Sequence, residues 1–267
     1  MKTLTFRSLI AVTALFAVSS CSDNKVDPKQ KTFVLVHGAW QGAYVWQQVK
    51  AQLEQKGQKV IVVELPAHGE DNSPPENQTL DGYRDVVIEA VQSANKKVIL
   101  VGHSMGGMVI SEAAEEIPAL IEKQIYIGAF LPANGESLMD LAGQDAQSHL
   151  GPSLVFSDKP TVDVKPENLI DIFCQDGSDA VKELLIAKYR PEPIIPFTNK
   201  ATLTAGAFGK VLKYYIYTSE DHAIGIDLQK LMVARAGIKK VYTLKSGHCP
   251  FLSMPDKVTE TLMDIIK

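Results

Sequence analysis

From Thr32 onward, short uninterrupted runs of apolar and aromatic residues alternate with stretches whose apolar positions recur every three or four residues. Phe33–Val36, Val60–Val63, Val98–Val101, Ile125–Ile127, Tyr214–Tyr217 and Val241–Leu244 are of the first kind. Strands without polar alternation suit a parallel sheet covered on both faces. Between them, Trp46, Val49 and Leu53 share one helical face that Gly57 closes, and Leu80, Tyr83, Val87 and Val91 repeat the spacing. Val258, Leu262, Ile265 and Ile266 do the same at the C-terminus, with Pro255 at the first turn. Strand–helix alternation predicts an α/β fold with a doubly wound, mostly parallel sheet.

The fourth and fifth apolar runs are separated by roughly eighty residues, about 131 to 210, too long for a structureless loop in a compact domain. Leu138–His149, Glu167–Cys174 and Asp179–Tyr189 read as short helices broken by Gly and Pro, and Pro191, Pro193 and Pro196 return the chain to the sheet. A helical cap inserted at about 131–210 in a single domain, residues 32–267, is the predicted organisation.

The first twenty residues differ in kind. Lys2 and Arg7 precede an apolar stretch from Leu9 to Val18, which is too short to span a bilayer and reads as a secretory signal. Val18-Ser19-Ser20-Cys21 resembles the bacterial lipobox, and that resemblance implies lipidation of Cys21, a polar linker over 21–31 and a membrane partner through the lipid anchor. Ser22 after the cysteine goes with outer-membrane sorting, so an exported lipoprotein, at the outer membrane or facing the periplasm, is expected. Cys174 and Cys249 could pair in an oxidising compartment, and two isolated buried thiols are the blander reading.

The 267 residues are 45% hydrophobic and 22% charged with a net charge of −4, which suits one large globular domain and gives no basic surface for nucleic acid. No His/Cys cluster has zinc spacing, so neither metal nor cofactor is expected. Nothing in the sequence sets the oligomeric state.

Chemistry concentrates at the strand ends. Gly102-His103-Ser104-Met105-Gly106 follows the Val98–Val101 strand directly and opens a helix from Met108 to Glu116. A G-x-S-x-G turn between strand and helix exposes a serine hydroxyl as a nucleophile. A weak alcohol needs a base, and the base needs an orienting acid. Of the six histidines, His103 lies inside the turn, His37 and His68 precede glycines in loops, His149 falls in the cap, and His222 and His248 remain. His248 follows the last core strand, in the chain order serine, acid, histidine. After Tyr214–Thr218 come Glu220 and Asp221, with Asp227 further on, as candidate acids. For the oxyanion, Met105 after the nucleophile and Ala39 after the first strand are the expected amide donors. Trp40, Phe251, Leu138 and Leu141 are the expected pocket wall.

Phe33–Trp40, Val98–Gly107 and Tyr217–Asp221 resemble the plant hydroxynitrile lyase and methylesterase branch of the α/β-hydrolases and similar bacterial esterases. The likeness covers about Thr32 to Lys267 and is faint in the cap. It implies Asp221 rather than Glu220 as the acid. Plant lyases of this branch carry a threonine two residues after the first strand and a lysine after the catalytic histidine. Here those places hold Gly38 and Cys249. Hydrolysis of a small or aromatic carboxylic ester through an acyl-enzyme is therefore expected over a carbon–carbon lyase or a non-catalytic small-molecule binding protein.

Overall fold

The computed structural model describes residues 30–267. The expected leader, Cys21 and nearly all of the linker lie outside them. In chain order the elements are β1 (Thr32–Val36), α1 (Gln47–Gln55), β2 (Lys59–Val63), α2 (Leu80–Ser93), β3 (Val98–His103), α3 (Gly106–Glu116) and β4 (Ile121–Ile127). Then come α4 (Leu138–Ala142), β5 (Leu154–Phe156), β6 (Thr161–Val164), α5 (Leu169–Cys174), α6 (Asp179–Lys188), β7 (Glu192–Pro193) and α7 (Ile195–Thr198). The chain closes with β8 (Lys213–Thr218), α8 (Ile226–Arg235), β9 (Val241–Leu244), α9 (Pro250–Ser253) and α10 (Pro255–Ile265).

The core is a six-stranded sheet in the order β2-β1-β3-β4-β8-β9, every pairing parallel. β1 and β3 are buried at every residue, as their unbroken apolar sequences require. α1 buries Val49 and Leu53, and α2 buries Leu80, Tyr83, Val87 and Val91. Thr79 caps α2, its hydroxyl accepting from Gly82 N at 3.0 Å.

The segment between β4 and β8 departs from an all-helical cap. Its helices at α4, α5 and α6 are joined by an antiparallel sheet, β5-β6-β7, in which Val162 pairs with Glu192. α4 also stops at Ala142 rather than reaching His149, with Gly143 at its C-cap. These strands are two to four residues long, and β7 ends on Pro193, so no periodicity announces them.

Candidate active site

All five expected catalytic groups lie at the carboxyl ends of core strands, where open α/β sheets place their ligands. Ser104 sits between β3 and α3 with φ +53°, a left-handed conformation uncommon for a side-chain-bearing residue. The turn is tight enough to demand its glycines: a Cβ on Gly102 would lie 2.7 Å from Gly106 O, and one on Gly106 2.7 Å from His37 O.

Asp221 and His248 come from the loops after β8 and β9. Asp221 Oδ2 accepts from His248 Nδ1 at 2.8 Å and from Thr218 Oγ1 at 2.7 Å. Its Oδ1 accepts from Ala223 N and Ile224 N, both at 2.8 Å. Four donors on one buried carboxylate fix its plane. Glu220 instead turns outward, half exposed, 3.6 Å from Lys245. Asp227 is at the surface, bonded to Gln147. Among the described residues no hydrogen bond reaches Ser104 Oγ, and apo geometry of this kind is common in nucleophile–base pairs.

His103 has its own task. Its Nε2–H donates to His248 O at 2.9 Å, and its ring packs against those of His248 and Phe251 at 4.5 and 4.6 Å. Burial, with the neighbouring His248, holds its pKa well below the usual histidine range, so it stays neutral beside the expected base. His37 is likewise neutral: burial lowers its pKa to about 3. Its Nδ1–H donates to Gly38 O at 2.8 Å, and its Nε2 accepts from Leu65 N at 3.1 Å. Position in the elbow and the first loop signalled both residues, but not these contacts.

Ala39 and Met105 line a mainly apolar cavity of about 190 Å³ together with Ser104, Trp40, Phe130 and Leu138. Neither amide donates to a protein acceptor among the described residues. Two of the expected wall residues are elsewhere. Phe251 is buried beneath the elbow against Trp46, centroids 4.5 Å apart, and Leu141 is fully buried in the core. Helical geometry explains the second correction: Leu138, Met139 and Ala142 face the cavity, and Leu141 lies at the side of that face, turned into the core.

The cap grips the loop that carries Ala39. Trp40, at φ +59°, sends its indole into the cap, where Nε1–H donates to Val162 O at 3.0 Å and the ring meets Phe173 and Phe197 at 5.6 and 5.5 Å. Its backbone N–H donates to Glu192 Oε2 at 2.7 Å, and the same oxygen lies 2.8 Å from His68 Nε2. Burial alone would lower the His68 pKa, but the Glu192 carboxylate more than offsets it and the net direction is up. Glu192 is fully buried and stands 152 residues from Trp40 in sequence. Nothing in Pro191-Glu192-Pro193 pointed to such a role.

A family model described as the alpha/beta hydrolase family matches residues 33–261. Methylesterase 9 of Arabidopsis thaliana is 30% identical over 250 residues, covering 88% of this chain and 98% of that protein. The alpha-hydroxynitrile lyase of the same plant is 30% identical over 263 residues, covering 87% and 96%. Among solved structures, polyneuridine aldehyde esterase matches with a TM-score of 0.81 at 28% identity, over 89% of this chain and 100% of that one. The resemblance to the methylesterase and hydroxynitrile lyase branch is thus borne out, as is the fold class. The expected location is not. Further matches bear chloroplastic methylesterase names from the same plant, and these relatives are not bacterial lipoproteins, which overturns the exported, outer-membrane or periplasm-facing placement.

Proposed function

The chain belongs to the alpha/beta hydrolase family and is a hydrolase of the carboxylesterase type, and from that premise we propose that Ser104 cleaves small carboxylic esters through an acyl-enzyme. The observation that carries this reading is the buried Asp221–His248 pair, 2.8 Å apart, at the same sheet edge as the strained Ser104.

In this mechanism His248 Nε2 removes the hydroxyl proton as Ser104 Oγ attacks the ester carbonyl. The Ala39 and Met105 amides donate to the oxyanion as it forms. The tetrahedral intermediate collapses as His248 returns the proton to the leaving alcohol. Water, deprotonated by the same imidazole, then attacks the acyl-enzyme and releases the carboxylic acid. Asp221 holds the imidazole in the tautomer that presents Nε2 as acceptor and stabilises the imidazolium.

Cavity size supports the substrate class. An apolar cavity of about 150 Å³ accommodates one benzene ring. The volume here, about 190 Å³, suits a single-ring or short acyl group. The methylesterase relatives make a methyl ester the leaving group to test first.

The lyase relative keeps carbon–carbon cleavage as the second reading, and two positions weigh against it. A Cβ on Gly38 would lie 2.7 Å from Ser104 Cβ and 2.8 Å from His103 Nδ1, so a threonine does not fit this loop as it stands. Beside His248, Cys249 is fully buried and accepts from Gln41 Nε2 at 2.9 Å. Burial pushes its thiol well above the ordinary range, so a neutral group occupies the place where departing cyanide would need a cation.

The test is labelling by a fluorophosphonate alongside hydrolysis of methyl aryl esters. Wild-type protein should label once, and Ser104→Ala should lose the label and about 10⁴–10⁶-fold in kcat. Equal labelling of the variant, or none of the wild type, would sink the reading.

A further inference from the structure

Four of the six histidines are buried at the sheet edge or beneath it, and the two exposed ones meet. His149 lies in the loop between α4 and β5, and His222 directly follows Asp221. Both present Nδ1 to the carboxylate of Asp171 on α5, one to each oxygen: His149 Nδ1 is 2.7 Å from Oδ2 and His222 Nδ1 is 3.1 Å from Oδ1. The rings stand 4.3 Å apart at 36°. Backbone contacts tie the two histidine segments together, with His149 N donating to His222 O at 2.8 Å and Ser148 Oγ to Ala223 O at 2.8 Å.

We propose that His149, Asp171 and His222 form a binding site for one divalent transition ion of the zinc type, joining the cap to the loop that carries Asp221. One ligand atom from each residue lies within 4.8 Å of the others. Donors about 2.0–2.1 Å from a tetrahedral ion stand about 3.3 Å from one another, so modest side-chain rotation admits the ion. All three side chains are at least one-third exposed and free to make that adjustment. Two imidazoles and a carboxylate are a borderline-soft donor set that favours Zn2+ over Ca2+ or Mg2+, with water completing the coordination. Binding requires each Nδ1 to be unprotonated, and the ring proton then resides on Nε2.

No motif spacing announces this site, because its ligands are 22 and 51 residues apart. Its location has a consequence for the pocket. Ser148 and Leu150 flank one histidine, Ala223 and Ile224 follow the other, and all four line the cavity beside Ser104. An ion held here would tie two segments of the cavity wall to each other and to α5.

The test is calorimetric titration of the full chain with ZnCl2, paired with thermal melts. Ser104→Ala serves as the host, so turnover plays no part and the outcome is independent of the esterase reading. One ion per chain is expected, with the melting temperature rising about 5–10 °C at free Zn2+ near one hundred times Kd. His149→Ala and Asp171→Asn, each verified as folded by circular dichroism, should weaken binding about tenfold or more and remove the rise. Absence of binding in the host overturns the site, and so does full affinity surviving in either variant.

Discussion

The two regions that enclose the cavity are built on different physical terms. At the sheet edge, each expected catalytic group is placed by the few residues that follow a parallel strand, β1, β3 and β8 being paired on both sides and the edge strand β9 paired to β8 alone. Ser104, Asp221 and His248 therefore inherit their positions from backbone pairing. In the cap, short helices and strands of two to four residues have little pairing of their own, and side-chain tethers across long sequence separations hold them: Glu192 to Trp40, Trp40 to Val162, Asp176 to Gly247. Strand-end chemistry should thus tolerate cap variation until one of these tethers is cut.

The sharpest way to break that contrast is at the acid. Asp221→Asn should lower kcat about 10⁴-fold with the fold intact, because the amide selects the wrong imidazole tautomer. Glu220→Gln, one residue away but turned to solvent, should leave kcat within about twofold, an exposed pair being of small energetic weight. Steady-state kinetics on both variants checks this. Comparable losses would mean that the strand end does not discriminate between the two carboxylates.

A cut tether is the intermediate case. Glu192→Gln removes a buried charge from His68 and weakens the acceptor of Trp40 N–H. A loss of about 3 kcal/mol in urea unfolding is expected, with kcat falling about tenfold and KM nearly unchanged as the Ala39 amide loses its aim. Lost stability with unchanged kcat would show that Glu192 holds the cap alone and does not position the oxyanion loop.

The smallest effect concerns the buried histidines under the sheet edge. His37 and His103 have lowered pKa values and stay neutral in the native state. Unfolded, each gains a proton near pH 6.5, so the unfolded chain binds more protons below that pH and stability falls on acidification. The expected loss between pH 6.5 and 5.5 is about 2 kcal/mol for the pair. His68 has the opposite shift and is protonated in both states below pH 6.5, so it adds no slope there, and its own contribution fades as pH rises through its raised pKa. Urea midpoints at pH 7, 6 and 5 measure the sum. A flat profile would contradict it.

The same contrast governs what could be read from the sequence. Six apolar runs, a glycine-flanked serine and an ordered acid and histidine are local signals, and each became a strand or a strand-end turn where the pattern put it. Asp221 was distinguishable from Glu220 only through family likeness, since both follow β8 and the direction of a side chain in a loop leaves no periodic trace. The cap strands, the Glu192–His68 pair and the corrected positions of Leu141 and Phe251 depend on contacts between remote segments. A five-residue helix such as α4 offers too few turns for its buried face to be inferred.

Trp40 carries an implication for recombining this protein with its relatives. Its backbone belongs to the loop that supplies Ala39, and its indole belongs to the packing of Val162, Phe173 and Phe197. Cap and core are therefore not interchangeable modules. A chimaera that imports a foreign cap must import matching partners for this one indole, or it will acquire a new cavity wall and lose the placement of the Ala39 loop beneath it.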